Sequence, residues 1–135
     1  MPEVFADTFY WIALANPADA SHRAARAFDL TNLESTLVTT DEVLTEFLDY
    51  FAEAGERRRR IVIGMFEEAM KQATVEVLPQ ARRSLLLGLD LYKARNDKSY
   101  SLTDCISMVA MRGRHITDVL THDRHFAQEG FTVLL

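Results

Sequence analysis

Four acidic side chains lie beside predicted strands or helix starts, although they are far apart in the sequence. Carboxylates that are brought together repel one another and lose hydration, so a group of them is unfavourable without a cation. A hard divalent cation such as Mg²⁺ prefers oxygen ligands, and it supports phosphodiester hydrolysis. No His or Cys residues have the spacing of a competing zinc site. The four acids are Asp7, Glu46, Asp104 and Asp123.

The predicted strands explain how these acids could meet. Asp7 follows the apolar run Val4-Phe5-Ala6, and Asp123 lies just past a strand predicted for Ile116 to Leu120. Glu46 is on the second turn of the helix that follows the second predicted strand. Because the carboxyl ends of parallel strands share one edge of a sheet, where ligands bind in α/β folds, we expect the acids to converge there.

Short strands alternate with helices along the whole chain, without a tight hairpin signal. This alternation predicts parallel strands joined by helical crossovers, with helices covering both faces of the sheet. We therefore expect an α/β fold, a three-layer α/β/α sandwich with a five-stranded parallel sheet, in one domain over residues 1–135. The predicted strands are Val4–Ala6, Thr36–Thr39, Thr74–Leu78, Ile116–Leu120 and Phe131–Leu135. The predicted helices are Thr8–Leu14, Pro17–Leu30, a helix from Thr39 to Gly55, Glu56–Gln72, Gln80–Arg95 and Leu102–Met111.

Two segments have the spacing of a capping box, in which a hydroxyl and an acid three residues later close a helix start. One is Thr39-x-x-Glu42 and the other is Ser101-x-x-Asp104. Asp104 could therefore serve only as a cap. In the helix Gln80–Arg95, we expect the apolar residues to face inward: Leu85, Leu86, Leu89 and Tyr92.

Composition limits the class of protein. The chain has 135 residues, 48% of them hydrophobic and 26% charged, as in ordinary globular domains. Its net charge of −5 argues against coating nucleic acid through a broad basic face, but not against a metal-assisted enzyme. There is no signal-peptide pattern, and no apolar run approaches the length of a membrane span. We expect a cytoplasmic protein that does not contact membranes.

Four segments together resemble the PIN domain, in particular the VapC-type toxins of toxin–antitoxin pairs. They occur in the order of that family and span nearly the whole chain. The segments are Val4-Phe5-Ala6-Asp7-Thr8, Thr39 to Phe47, Asp97 to Cys105, and Leu120-Thr121-His122-Asp123-Arg124-His125-Phe126 with Gly130-Phe131.

The resemblance implies an endoribonuclease that depends on Mg²⁺, with Mn²⁺ as a possible substitute. It implies that Asp7, Glu46, Asp104 and Asp123 are the catalytic acids. Asp7 and Asp104 would be the most direct metal ligands, while Glu46 and Asp123 would bind directly or through water. Supporting hydroxyls would come from Thr8, Ser101 and Thr121. The implied partners are an RNA substrate, a cognate antitoxin and a second copy of the chain in a homodimer.

Other interpretations of the same residues remain. His122 and His125 flank Asp123, but the resemblance requires only the aspartate, so we expect the histidines to be surface or substrate-facing. A receiver domain or a haloacid-dehalogenase-like phosphatase fits the strand ends poorly: Pro79 follows the third predicted strand, and Asp7-Thr8-Phe9 lacks a second aspartate. The main alternative is a catalytically inert PIN-fold protein that binds RNA or a partner.

Overall fold

The computed structural model describes residues 2–135 of the chain. Five parallel strands form one sheet in the order β3-β2-β1-β4-β5. The strands are β1 (Glu3–Ala6), β2 (Thr36–Thr40), β3 (Val75–Leu78), β4 (Asp118–Leu120) and β5 (Thr132–Val133). The all-parallel five-stranded sheet predicted from the alternation of strands and helices is confirmed.

Seven helices connect the strands within the described residues. The helices are α1 (Thr8–Ala15), α2 (His22–Thr31), α3 (Asp41–Tyr50), α4 (Glu56–Lys71), α5 (Arg82–Ala94), α6 (Leu102–Gly113) and α7 (Arg124–Gln128). Right-handed crossovers place α1 to α4 on one face of this sheet and α5 to α7 on the other. Most helix contacts follow the same division, because α1 packs on α2 and α3 while α6 packs on α5 and α7; α3 and α6 also touch.

The strand order reverses between β1 and β4, which makes their carboxyl ends the switch point of the sheet. Phe5 pairs with Val119 and Ala6 with Leu120, and the backbone N–H of Asp7 continues the ladder to the Leu120 carbonyl at 3.3 Å. Open α/β sheets bind ligands in the crevice at such a point. The residues that follow β1 and β4 therefore meet where a ligand is expected.

The core surrounds the two central strands. Phe5 and Val119 are fully buried, and α6 carries a continuous buried segment from Asp104 to Met108. Cys105 lies within this segment as a free, buried thiol. In the described part of the chain, no helix combines the length and apolar character that crossing a membrane requires.

The helix expected from Pro17 begins later, at His22. The segment between α1 and α2 forms turns instead, because polar side chains bond to backbone two residues ahead. Asn16 Oδ1 accepts from the Ala18 N–H at 3.1 Å, and Asp19 Oδ1 accepts from the Ser21 N–H at 2.8 Å. Such side-chain turns compete with helix formation.

The first of the two predicted capping boxes was wrong by one residue. Thr40, not Thr39, caps α3, and its Oγ1 accepts from the Val43 N–H at 3.0 Å. The Thr39 hydroxyl is buried and donates to the Ala6 carbonyl at 2.8 Å, so it links β2 to the end of β1. Both threonines thus stabilise the backbone beside Asp7 and Glu46.

The inward face of α5 also differs from the prediction. Leu86 and Tyr92 are exposed, whereas Gly88 is buried against α6. A Cβ at Gly88 would lie 2.4 Å from Ile106 Cγ1 and 3.2 Å from the Ile106 backbone. The two helices approach most closely at a residue without a side chain, so the apolar pattern alone could not locate the contact.

Candidate active site

Asp7 is buried at the switch point with one carboxylate oxygen unpaired. Its side chain follows β1 at the start of α1 and is 2% exposed. Oδ2 accepts from the Thr121 hydroxyl at 3.0 Å, but Oδ1 has no hydrogen-bond partner among the described residues. An unpaired buried carboxylate oxygen is costly, so this atom calls for a ligand.

Burial raises the pKa of Asp7 from its usual 3.8 to about 7. The backbone N–H of Thr8 and the Thr121 hydroxyl oppose this shift, while the charges of Asp104 and Glu46 add to it. The groups that act on this pKa therefore include two carboxylates and no cation. A positive charge placed here would favour the ionised form of Asp7.

Glu46 is held close to Asp7 through the neighbouring threonine. The Thr8 hydroxyl donates to Glu46 Oε1 at 2.5 Å, which joins the first turn of α1 to the second turn of α3. Thr8 is 5% exposed. The bond orients one carboxylate oxygen of Glu46 toward the carboxyl edge of β1.

Asp104 does cap its helix, as the sequence suggested. Its Oδ2 accepts from the Ser101 N–H and its own N–H donates to Ser101 Oγ, both at 3.0 Å. Burial nevertheless raises the pKa of Asp104, and the charge of Asp123 adds to the effect, against the Ser101 amide and the nearby His125 ring. Because the Ser101 bond uses Oδ2, capping leaves Oδ1 available for a second role.

Thr121 connects the two strand ends that carry Asp7 and Asp123. Its hydroxyl donates to Asp7 Oδ2 and accepts from the Asp123 N–H at 3.1 Å. Asp123 in turn caps α7, where its Oδ1 accepts from the His125 N–H at 2.9 Å. The resemblance suggested that Thr121 orients Asp123, and these bonds provide a physical means for it.

His125 lies beside two of the acids, a position compatible with the substrate-facing alternative that the sequence left open for it. Its Nδ1 is 3.2 Å from Asp123 Oδ1 and 3.4 Å from Asp104 Oδ2. Ligand atoms of Asp104, Asp123 and His125 all lie within 4.8 Å of one another. The signal was available in the sequence, since the N-terminal residues of a short helix capped by Asp123 stay beside that aspartate.

The four predicted acids thus form a chain of charge couplings. Glu46 and Asp104 act on Asp7, and Asp123 acts on Asp104. Asp7 and Glu46 lie outside the compact group that His125 completes. The donor set is rich in carboxylate oxygens and contains the unpaired Asp7 Oδ1, so these residues fit a hard divalent cation.

This architecture belongs to a recognised class: the chain has the VapC-type PIN-domain fold. It superposes with a TM-score of 0.83 on Mycobacterium tuberculosis VapC20, described as a sarcin-ricin loop cleaving toxin, at 24% identity over 96% of both chains. The PIN-like fold predicted from the sequence is therefore confirmed.

Two further solved structures share the fold at lower identity. FitAcB from Neisseria gonorrhoeae matches with a TM-score of 0.68 and 15% identity, over 98% of this chain and 96% of that one. VapBC2 from Rickettsia felis, bound to a DNA fragment from their promoter, matches with a TM-score of 0.68 and 10% identity, over 97% and 96%. Comparisons with known protein families and with curated proteins find no match.

Proposed function

We propose that the chain is a metal-dependent endoribonuclease of the VapC type that uses Mg²⁺, with Mn²⁺ as a substitute. The observation that carries the proposal is the buried, unpaired Asp7 carboxylate, which two other carboxylates face without a compensating cation. Its position at the β1–β4 switch point supports a ligand-binding role rather than a structural one. The fold shared with VapC20 supports RNA as the substrate.

The acids would hold the metal ion by their carboxylate oxygens. Asp7 and Asp104 would be direct ligands, with Glu46 and Asp123 binding directly or through water. A bound divalent cation supplies positive charge to the scissile phosphate and makes water a better nucleophile at neutral pH. The hydroxyls of Thr8 and Thr121 and the backbone N–H of Ser101 would keep these carboxylates oriented, while the Ser101 hydroxyl would hold the start of α6 by accepting from the Asp104 N–H.

The protein groups would perform the positioning. A carboxylate of the group aligns the attacking water and accepts its proton as it approaches the phosphorus in line. Glu46 suits this role, because Thr8 fixes one of its oxygens while the side chain remains only partly buried. The expected products are a 3′ hydroxyl and a 5′ phosphate, the outcome that the resemblance implies.

Partners of the protein form part of the same proposal. The resemblance implies a cognate antitoxin, and the fold shared with FitAcB and VapBC2 supports one. Exposed apolar side chains occur on α4 and α5, which offers surface for contacts with an antitoxin or with a second copy in a homodimer. They include Ile61, Ile63, Met70, Leu86 and Tyr92.

The direct test is cleavage of structured and single-stranded RNAs in Mg²⁺, Mn²⁺ or EDTA by the wild type and by Asp104→Asn. Asparagine keeps an oxygen that can accept from Ser101, so the cap of α6 survives. We expect metal-dependent cleavage by the wild type and a loss of about 10²–10³-fold in the variant. Asp90→Asn, an exposed aspartate on α5, is the matched control and should cleave normally.

Equal cleavage by Asp104→Asn and the wild type would overturn the proposal. If neither protein cuts any RNA, and millimolar Mg²⁺ or Mn²⁺ fails to raise the melting temperature, the inert binding protein is favoured. A ligand that binds only the folded state must raise its stability, so the melting experiment tests the metal site without needing the right RNA.

A further inference from the structure

The His125 ring is fixed beside two carboxylates by the geometry of α7. Asp123 caps this helix by accepting the His125 N–H, and the same oxygen, Oδ1, lies 3.2 Å from His125 Nδ1. Asp104 Oδ2 lies 3.4 Å from Nδ1 on the other side. The Tyr100 ring packs against the imidazole with a centroid distance of 5.4 Å. The nitrogen is thereby held between the two oxygens.

This nitrogen is buried, and although it lies at ion-pair distance from both carboxylates, it makes no well-aligned hydrogen bond with a described residue. The whole side chain is 29% exposed, so it is Nδ1, rather than the ring, that points into the protein. A buried polar atom without a partner costs roughly 1–3 kcal/mol. The ring nitrogen is also a metal ligand when the imidazole is neutral.

The distances from Nδ1 to the two oxygens match those of ligands that share one ion. Two ligands at about 2.1 Å from a metal are about 3.0 Å apart in octahedral geometry and about 3.4 Å apart in tetrahedral geometry. The observed distances of 3.2 and 3.4 Å lie within that range.

A second, independent observation points to a ligand beside this group. Asp7 Oδ1 is unpaired in a side chain that is 2% exposed, and the charge of Asp104 acts on this carboxylate. Two buried atoms without a well-aligned hydrogen bond, one oxygen and one nitrogen, therefore belong to side chains that interact with Asp104.

We propose that His125 Nδ1 joins Asp104 and Asp123 as a direct ligand when the site holds a transition metal such as Mn²⁺ or Co²⁺, and that it raises the affinity for such metals without changing that for Mg²⁺. Imidazole suits transition metals, whereas carboxylates and water suit Mg²⁺. The inference rests on the proposed function, because it refines the identity of the ligands at that site.

The test compares metal affinities of His125→Gln with those of the wild type and of His122→Gln. His122 is the matched control: it adjoins Asp123 on the other side but is exposed, with its ring 4.2 Å from that of Phe9. Binding of Co²⁺ and Mg²⁺ to metal-free full-length protein is measured by calorimetry. We expect His125→Gln to bind Co²⁺ at least about tenfold more weakly and Mg²⁺ within about threefold of the wild type, while His122→Gln changes neither.

Electron spin-echo spectroscopy of the Mn²⁺-loaded wild type provides a readout that needs no variant. A coordinated imidazole gives a nitrogen modulation, which we expect here and which an all-oxygen site lacks. Absence of that modulation overturns the inference, as does an equal loss of Co²⁺ and Mg²⁺ affinity in His125→Gln. A wild type that cuts RNA with metal but shows no nitrogen coupling refutes the role of His125 alone, whereas a wild type that binds no metal also refutes the proposed function.

Discussion

Asp7 and Glu129 are both buried acids, but the protein surrounds them in opposite ways. The Glu129 side chain is 5% exposed and accepts from Arg95 at 2.8 and 2.9 Å, from Arg112 at 2.7 Å and from the Tyr100 hydroxyl at 3.0 Å. Arg95 is the main cause that lowers the pKa of Glu129 to about 2. Asp7, which is 2% exposed, has no cation among the groups that act on it, and burial raises its pKa to about 7.

The difference separates a carboxylate with a structural role from one that fits the proposed role in metal binding. Glu129 follows α7 and joins it to Arg95 at the end of α5 and to Arg112 in the last turn of α6, so its ion pairs hold three helix ends together. This cluster holds α6, which carries Asp104, and α7, which follows the end of β4. Asp7 receives no such compensation from the chain. A carboxylate in a crevice whose ionised form is disfavoured in this way is typical of a binding or catalytic group.

The largest effect that separates the two acids is expected from Asp7→Asn. Because the folded pKa of Asp7 lies above its unfolded value, the folded protein retains the proton longer, and stability falls as the pH rises from about 4 to about 7. Asparagine cannot ionise, so the variant escapes this loss. In EDTA at pH 8 we expect Asp7→Asn to be more stable than the wild type by on the order of 3 kcal/mol, and nearly equal at pH 4.

Urea unfolding at the two pH values measures this difference. Addition of Mg²⁺ or Mn²⁺ should then raise the melting temperature of the wild type but not that of Asp7→Asn. A variant that is less stable than the wild type in EDTA at pH 8 would show that Asp7 is compensated as Glu129 is.

Glu129→Gln should change the stability in the opposite direction and make the protein less stable than the wild type. Its removal leaves Arg95 and Arg112 without their shared acceptor, and we expect a loss of about 2–3 kcal/mol at pH 7. Since the folded pKa of Glu129 is depressed, its contribution is present above about pH 4.5 and disappears as the pH falls toward 2. The gap between wild type and variant should therefore narrow in acid.

Chemical unfolding of Glu129→Gln between pH 7 and pH 3 checks this expectation. Glu67→Gln, an exposed glutamate on α4, is the matched control and should change stability by less than about 0.5 kcal/mol. A gap that stays constant with pH would mean that Glu129 acts through packing rather than through its charge.

The sequence indicates Asp7 as a candidate site residue, but it does not indicate the ion pairs of Glu129. Asp7 follows an apolar strand, which is a local pattern, and the cap at Ser101 is local as well. The Glu129 cluster joins residues 17 and 34 positions apart, and no local periodicity indicates such pairing. The parallel sheet was predictable for the same reason as Asp7, whereas the strand order depends on how the crossovers pack.

The wrong predictions have related physical causes. Side-chain turns at Asn16 and Asp19 replace the first turns that were expected for α2. At the start of α3, Thr40 rather than Thr39 accepts the capping hydrogen bond, because only the folded backbone determines which hydroxyl faces the helix. His125 was expected to be surface or substrate-facing because the resemblance requires only Asp123, and its place beside Asp104 depends on the five-residue helix that Asp123 caps.

The smallest expected effect comes from Thr121→Val, which tests whether Asp7 depends on its single side-chain donor. Valine preserves the shape but leaves Asp7 Oδ2 and the Asp123 N–H without the hydroxyl that now contacts both. The Thr121 hydroxyl lowers the pKa of Asp7, so its loss should raise that pKa further and should cost about 1 kcal/mol more at pH 8 than at pH 5. Unfolding in EDTA at the two pH values measures the difference. If the cost is the same at both, the hydroxyl serves the backbone of Asp123 rather than the charge on Asp7, and Asp7 is then even less compensated by the chain than its hydrogen bond suggests.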